Sequence, residues 1–186
     1  HYDVMDGHFV EQISYGTPIL RSVKKCTSRP LDVHLMVERP DQQAEYFAEA
    51  GADIIDIHLE SSCDIGACLK RIRKLGKTPA LAVKPNTPIE DAYPYLPLCD
   101  MVLVMTVEPG YGGQGFIPDM LTKVRALREY ADNNGFPSLN IQVDGGINEN
   151  TGADAKRAGA NVLVAGTGLF YASDMKAVNT ALKGTL

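Results

Sequence analysis

Seven short runs dense in Val, Ile and Leu recur along the 186 residues, near 1–5, 31–37, 54–60, 79–84, 101–107, 139–144 and 161–166. A stretch with helical spacing of its apolar residues follows each one. This alternation constrains the fold more than any other feature, because repeated strand–helix units build a parallel sheet covered by helices. Helices are expected near 17–25, 41–50, 64–75, 88–96, 118–134, 150–158 and 173–183. Pro40-Asp41, Thr87-Pro88 and Ile117-Pro118 read as helix starts, and Gly51, Gly76, Gly135 and Gly159 as helix stops. AGAD at 50–53 and AGAN at 158–161 are helix-to-strand joints of one kind. No linker or low-complexity tract interrupts the pattern, so a single domain over 1–186 is expected, in line with about 100–200 residues per domain.

The net charge of −5 is spread along the chain and gives no electrostatic case for nucleic acid or an anionic membrane surface. An anionic ligand would need a local site. No run approaches the ~18 consecutive apolar residues of a membrane span, and no signal-peptide pattern precedes the first strand; a cytoplasmic protein is expected. The four cysteines, Cys26, Cys63, Cys68 and Cys99, lack CxxC spacing and are expected to be reduced structural thiols.

Parallel strands with helices can form an open doubly wound sheet or a closed barrel. The polar residues favour the barrel, because they lie at the C-terminal ends of many strands, where barrel enzymes place their chemistry. Side chains alternate along a strand, so His1, Asp3 and Met5 share one face, as do His34 and Met36 in LDVHLMV, while Asp144 ends NIQVDGG. Two imidazoles and two carboxylates turned into one mouth make an N2O2 set suited to Zn, Fe(II), Mn or Co. A lone histidine at a strand end more often hydrogen-bonds than ligates, so His34 by itself is weak. A buried carboxylate needs compensation, which gives Asp3 and Asp144 more weight. Asp6 and His8 in DGHFV fit a loop that bonds its own backbone. His58 ends a strand and is a candidate to orient a ligand from behind. Lys84 fits a solvated loop.

Three glycine-rich stretches follow late strands: PGYGGQGF at 109–116, DGGIN at 144–148 and AGTGLF at 165–170. Backbone N–H groups can approach an anion closely there, and the last two strand ends of a barrel are where phosphate is often held. Met5, Met36 and Met105 end strands on the face taken as inward, where plastic core filling is the plain reading.

HYDVMDGHFV, LDVHLMVERP, AGADIIDIHLE, VMTVEPGYGGQGFIPDML, QVDGGIN and AGANVLVAG together resemble the ribulose-phosphate 3-epimerase family, from His1 to the C-terminal helix. The resemblance implies a (β/α)8 TIM barrel and one divalent metal ion held by His1, Asp3, His34 and Asp144. It makes Asp3 and Asp144 the acid/base pair. Met5, Met36 and Met105 would line the substrate cavity, and Gly112, Gly113, Gln114, Gly145, Gly146, Gly166 and Thr167 would bind the substrate at its phosphate end. The implied reaction interconverts D-ribulose 5-phosphate and D-xylulose 5-phosphate through a cis-enediolate. Removing the C3 proton from one face and returning it to the other takes two carboxylates, and which aspartate serves which face stays open. The implied partners are a small sugar phosphate and further copies of the chain, as a dimer or hexamer.

This sequence departs from the family pattern at several places. The family barrel has a first βα unit of roughly thirty residues, with a serine near the substrate, before the strand that begins here at His1. Seven units are visible, so an N-terminally incomplete barrel is expected, or one in which another chain fills the gap. Glu11 and Gln12 stand where relatives commonly have Pro-Asn, Gln142 where many carry Glu, and Thr167 where many have Ser. Two rival readings remain: a D-allulose 6-phosphate 3-epimerase using the same residues on a longer sugar, and a sugar-phosphate-binding protein without turnover.

Overall fold

The computed structural model describes residues 1–184, and its strands form where the aliphatic runs lie. They are β1 (Tyr2–Met5), β2 (Asp32–Met36), β3 (Ile54–His58), β4 (Thr78–Val83), β5 (Met101–Met105), β6 (Asn140–Asp144) and β7 (Val162–Val164). Within β1–β4, and within β5–β7, strand order follows chain order. β1 pairs with β2, β2 with β3, β3 with β4, β5 with β6 and β6 with β7, all in parallel. Sequential parallel neighbours are the outcome of short crossovers that all turn with the same hand.

One compact unit comprises His1–Ala82 with Pro94–Asp100. It holds α1 (Thr17–Cys26), α2 (Pro40–Ala50) and α3 (Ile65–Lys74). Val33, Leu35, Ile55, Ile57, Leu69, Ile72 and Leu81 are wholly buried in it. Every residue of β2 is buried, the polar Asp32 and His34 along with Val33, Leu35 and Met36. α2 starts on Pro40, whose missing N–H costs nothing in the first turn. It stops at Gly51, where φ is +114° and an added Cβ would sit 2.8 Å from Lys24 Cγ, so both conformation and space call for glycine. α3 is capped by Asp64, whose side chain accepts from Ala67 N at 2.9 Å.

The other unit comprises Val83–Tyr93 and the chain from Met101 onward. It holds α4 (Met120–Asn133), α5 (Glu149–Ala158), α6 (Thr167–Phe170) and α7 (Met175–Gly184). Val102, Leu103, Val104, Val124, Leu127, Ala131, Ile141 and Val143 are its wholly buried core. β7 has three residues and is only half-buried, shorter than the run at 161–166 suggests.

Two elements differ in kind from the sequence expectation. Residues Ile89–Leu98 form a 3-10 helix and not an α-helix, because Pro94 and Pro97 have no N–H to give to an i−4 ladder. The one-turn helix α6 falls inside AGTGLF, whose glycines read as loop. Elsewhere boundaries move by one or two residues, the usual uncertainty at helix ends. All four cysteines are free, and burial pushes the Cys68 and Cys99 thiols up to about 12, which makes both inert.

Candidate active site

Parallel register places Asp3 beside His34, and His34 beside Asp56. Alternation turns His1 and Asp3 to one side of β1. The result is a cluster built on one oxygen: Asp3 Oδ1 lies 3.1 Å from His34 Nδ1 and 3.3 Å from His1 Nε2. The two imidazole rings stand with centroids 5.4 Å apart, tilted by 49°. His34 is wholly buried, the His1 side chain is 11% exposed, and Asp3 keeps 42% exposure, so the carboxylate is the part of the cluster open to a ligand.

The far nitrogens of both rings are also engaged. His1 Nδ1 is 2.7 Å from Asp32 Oδ2, and His34 Nε2 is 2.8 Å from His58 Nε2. His58 Nδ1 in turn lies 3.1 Å from Glu60 Oε2. Burial alone would lower the pKa of His1, but the hydrogen bonds and charges of Asp3 and Asp32 more than reverse this and leave it well above the ordinary value. Burial alone would raise Asp3; its side-chain contacts with the His1 and His34 rings outweigh it and hold this carboxyl well below the usual carboxylate range. An ionised Asp3 between two nitrogen donors is the chemistry a divalent cation takes.

The loop after β1 is tied back to that strand. Ser14 Oγ donates to Asp3 O at 2.7 Å and accepts from Met5 N at 2.9 Å, and Ser14 N donates to Met5 O at 3.2 Å. Asp6 bonds the backbone, as expected: Oδ1 accepts from His8 N and Phe9 N, and Oδ2 from Glu38 N, all at 2.8 Å. His8 is exposed, with Nδ1 3.1 Å from Asp6 O. Met5 lines an open cavity of about 660 Å³ with Asp6, His8, Ser14, Tyr15 and Arg39. Met36 is 2% exposed and packs as core.

Asp144 ends β6, with Met105, also 2% exposed, as its register partner on β5. Its carbonyl is fixed by the residue that follows β5: Thr106 N and Thr106 Oγ1 each lie 2.8 Å from Asp144 O, and the same hydroxyl lies 2.7 Å from Gly145 O. A second cavity, of about 370 Å³, is lined by Gln114, Phe116, Gly146, Asn148, Thr167 and Gly168. Of the residues expected at the phosphate, Gln114, Gly146 and Thr167 are brought together here. Cβ atoms at Gly112 or Gly113 would each lie 3.9 Å from Thr167 Cγ2, so those glycines adjoin the same wall. Gly145 packs against Val107, and Gly166 precedes α6. Gln114 also serves the loop itself, which it closes by donating from Nε2 to Glu108 O at 2.6 Å and to Tyr111 O at 2.9 Å. Asn148 and Thr151 form a capping box at the start of α5 on the cavity's edge.

Sequence inspection missed Asp32, Glu60, Ser14 and Thr106. A signal existed for two of them: Asp32 precedes His34 by two positions, and Glu60 follows His58 by two. Lys84 takes part through its carbonyl, which accepts from Lys123 Nζ at 3.1 Å. Gln142 is 2% exposed in the middle of β6.

Residues 1–170 match the model of the ribulose-phosphate 3 epimerase family. The ribulose-phosphate 3-epimerase of Eremothecium gossypii is 45% identical over 194 residues, covering 98% of this chain and 79% of the relative. That of Bacillus subtilis is 41% identical over 185 residues, covering 100% of this chain and 85% of the relative. Among solved structures, the 3-keto-L-gulonate-6-phosphate decarboxylase from Vibrio cholerae gives a TM-score of 0.69 at 16% identity over 91% of this chain and 78% of that one. The 3-hexulose-6-phosphate synthase from Salmonella typhimurium gives 0.67 at 17% identity over 91% and 79%. At such identities the structural likeness speaks for the fold alone, which is of the TIM-barrel class, with seven strands among the described residues. Sequence identity carries more: the chain belongs to the ribulose-phosphate 3-epimerase family, whose members are isomerases.

Proposed function

We propose that the chain interconverts D-ribulose 5-phosphate and D-xylulose 5-phosphate by two-base proton transfer at C3 through a cis-enediolate, within one barrel domain. The observation that carries this reading is the cluster on Asp3 Oδ1, an ionised carboxylate that faces two imidazole nitrogens whose ring partners are already engaged. His1, Asp3, His34 and Asp144 each offer one donor atom of the kind a divalent ion takes, and together they would hold it. Such an ion, of Zn, Fe(II), Mn or Co, supplies Lewis acidity toward the substrate's oxygens as negative charge develops on them.

The chain's own residues do the rest. Asp3 and Asp144 flank C3, one starting ionised to take the proton and the other starting protonated to return one to the opposite face. Each contributes about 10²–10⁴-fold as general base or acid. The glycines of 112–113 and 145–146 leave backbone N–H groups accessible to the phosphate, and Thr167 adds a hydroxyl. Binding energy gathered there holds C3 between the two carboxylates. The reading includes a homo-oligomer, dimer or hexamer, in the cytoplasm; among the described residues no helix is long and apolar enough to cross a membrane.

The test is proton exchange. In D2O, D-ribulose 5-phosphate should gain deuterium at C3 as D-xylulose 5-phosphate forms, followed by NMR. Dialysis against a chelator should stop both, and a divalent ion should restore them. Binding without exchange would leave a sugar-phosphate binder, and faster turnover of D-allulose 6-phosphate would transfer the activity to the six-carbon substrate.

A further inference from the structure

We infer that Glu60 and His58 are positioning residues that set which ring nitrogen of His34 is offered to a divalent cation; the inference rests on the metal-centre reading above. His34 Nε2 and His58 Nε2 are 2.8 Å apart, and both rings are wholly buried. A contact between two ring nitrogens needs one hydrogen and one lone pair, and the distance alone does not say which ring brings the hydrogen. Glu60 decides it. A carboxylate only accepts, so Glu60 Oε2, 3.1 Å from His58 Nδ1, takes the hydrogen of that nitrogen. A neutral imidazole with hydrogen on Nδ1 has its lone pair on Nε2. The hydrogen between the rings therefore belongs to His34.

His34 then carries Nε2–H and turns an unprotonated Nδ1 toward Asp3 Oδ1, 3.1 Å away. Two lone pairs facing each other at that distance repel unless a positive charge lies between them. The chain from Glu60 through His58 to His34 thus prepares a nitrogen lone pair and a carboxylate oxygen for one cation. His1 shows the same device in one step. Asp32 Oδ2 takes the hydrogen of Nδ1 at 2.7 Å, and Nε2, 3.3 Å from the same Asp3 oxygen, is the nitrogen from which a cation would displace a proton. Phe9 packs against His58 with ring centroids 4.7 Å apart, so the ring that relays the choice is held in place. Glu60 itself touches neither the substrate nor the ion in this scheme; it acts through two rings.

The experiment uses the full chain with Zn2+ as the probe, its dissociation constant measured by chelator competition. The tautomer of His34 is read by 15N NMR of histidine-labelled protein. In the wild type, His34 should show Nε2–H with Zn2+ on Nδ1. Glu60→Leu removes the acceptor that fixes the hydrogen on His58 Nδ1, and should weaken Zn2+ binding by about 10–100-fold while letting the His34 hydrogen populate Nδ1 in the metal-free protein. His58→Phe cuts the relay and should weaken binding likewise, with no further loss when Glu60→Leu is added; it also reads the effect if Glu60→Leu alone fails to fold. If either the Zn2+ affinity or the His34 tautomer is unchanged in Glu60→Leu, the inference is overturned and the metal centre stands. If the wild type does not bind Zn2+, or binds it equally well as His34→Ala, the metal centre falls and takes the inference with it.

Discussion

Replacing Asp6 tests whether one carboxylate organises the loop after β1. Its two oxygens accept three backbone N–H groups at 2.8 Å, from His8, Phe9 and Glu38. Burial alone would raise its pKa, and the hydrogen bonds from Glu38, His8 and Phe9 outweigh that and hold it below the ordinary value. Hydrogen bonds to a charged group contribute about 1.5–3 kcal/mol each when well shielded. Three such bonds at the low end would give about 4.5 kcal/mol, and solvent screening at this half-buried site reduces the cost of Asp6→Ala to about 3 kcal/mol. For a chain of this size that lowers Tm by about 6–12 °C. Asp6→Asn keeps an acceptor oxygen for His8 and Phe9 but must turn its NH2 toward the Glu38 N–H, at a cost of about 1–2 kcal/mol. A carboxyl with a depressed folded pKa contributes stability that is complete above its unfolded value of about 3.9 and is lost as pH falls through the folded value. The gap between wild type and Asp6→Asn, measured by urea unfolding, should therefore be full at pH 7 and shrink on acidification below that value. An equal gap at both ends of the titration, or no gap at pH 7, refutes the assignment of that energy to an ionised Asp6.

Asp144→Asn should lower kcat by at least about 10²-fold with stability within about 1 kcal/mol of the wild type, measured by turnover and calorimetry together. Gly146→Ala puts a Cβ 2.5 Å from Phe116 N at a φ of +64°. It should cost more than the ~1–2 kcal/mol of a left-handed residue alone and raise KM for the sugar phosphate more than it lowers kcat. Leu127→Ala empties a wholly buried site on α4 and should cost about 3 kcal/mol, read as a fall in the urea midpoint with the m-value unchanged.

Much of this architecture was legible because a strand covered on both faces has to be apolar throughout, and such runs stand out from amphipathic helices. The 3-10 segment was legible too, had Pro94 and Pro97 been given more weight than the apolar spacing of IEDAYPYLPL. β7 was overread because Ala165 and Gly166 continue the run in composition without pairing. Alternation alone put His1 and Asp3 on one face of β1. What it could not supply was the register that sets Tyr2 beside Val33 and so brings Asp32 under His1, thirty-one residues away. Spacing puts Glu60 two residues after His58 but does not reveal its role, for a related reason. Its part depends on a nitrogen-to-nitrogen contact between strands β2 and β3, and no spacing within either strand encodes that. Asp144 and the glycine walls were assigned through family resemblance, since glycine pairs occur in many turns.

The grip of Thr106 on the end of β6 has a consequence for anyone mapping function by substitution. One hydroxyl and one amide of the residue that follows a neighbouring strand clamp the two carbonyls at the point where the chain leaves the sheet, so Asp144 has little left to vary beyond rotation about its own side-chain bonds. A change at position 106, which lies wholly buried, would misaim that carboxylate and register as lost turnover. A scan that scores activity alone would count such a scaffold residue among the chemical ones; only serine, which keeps the hydroxyl, would tell the two apart.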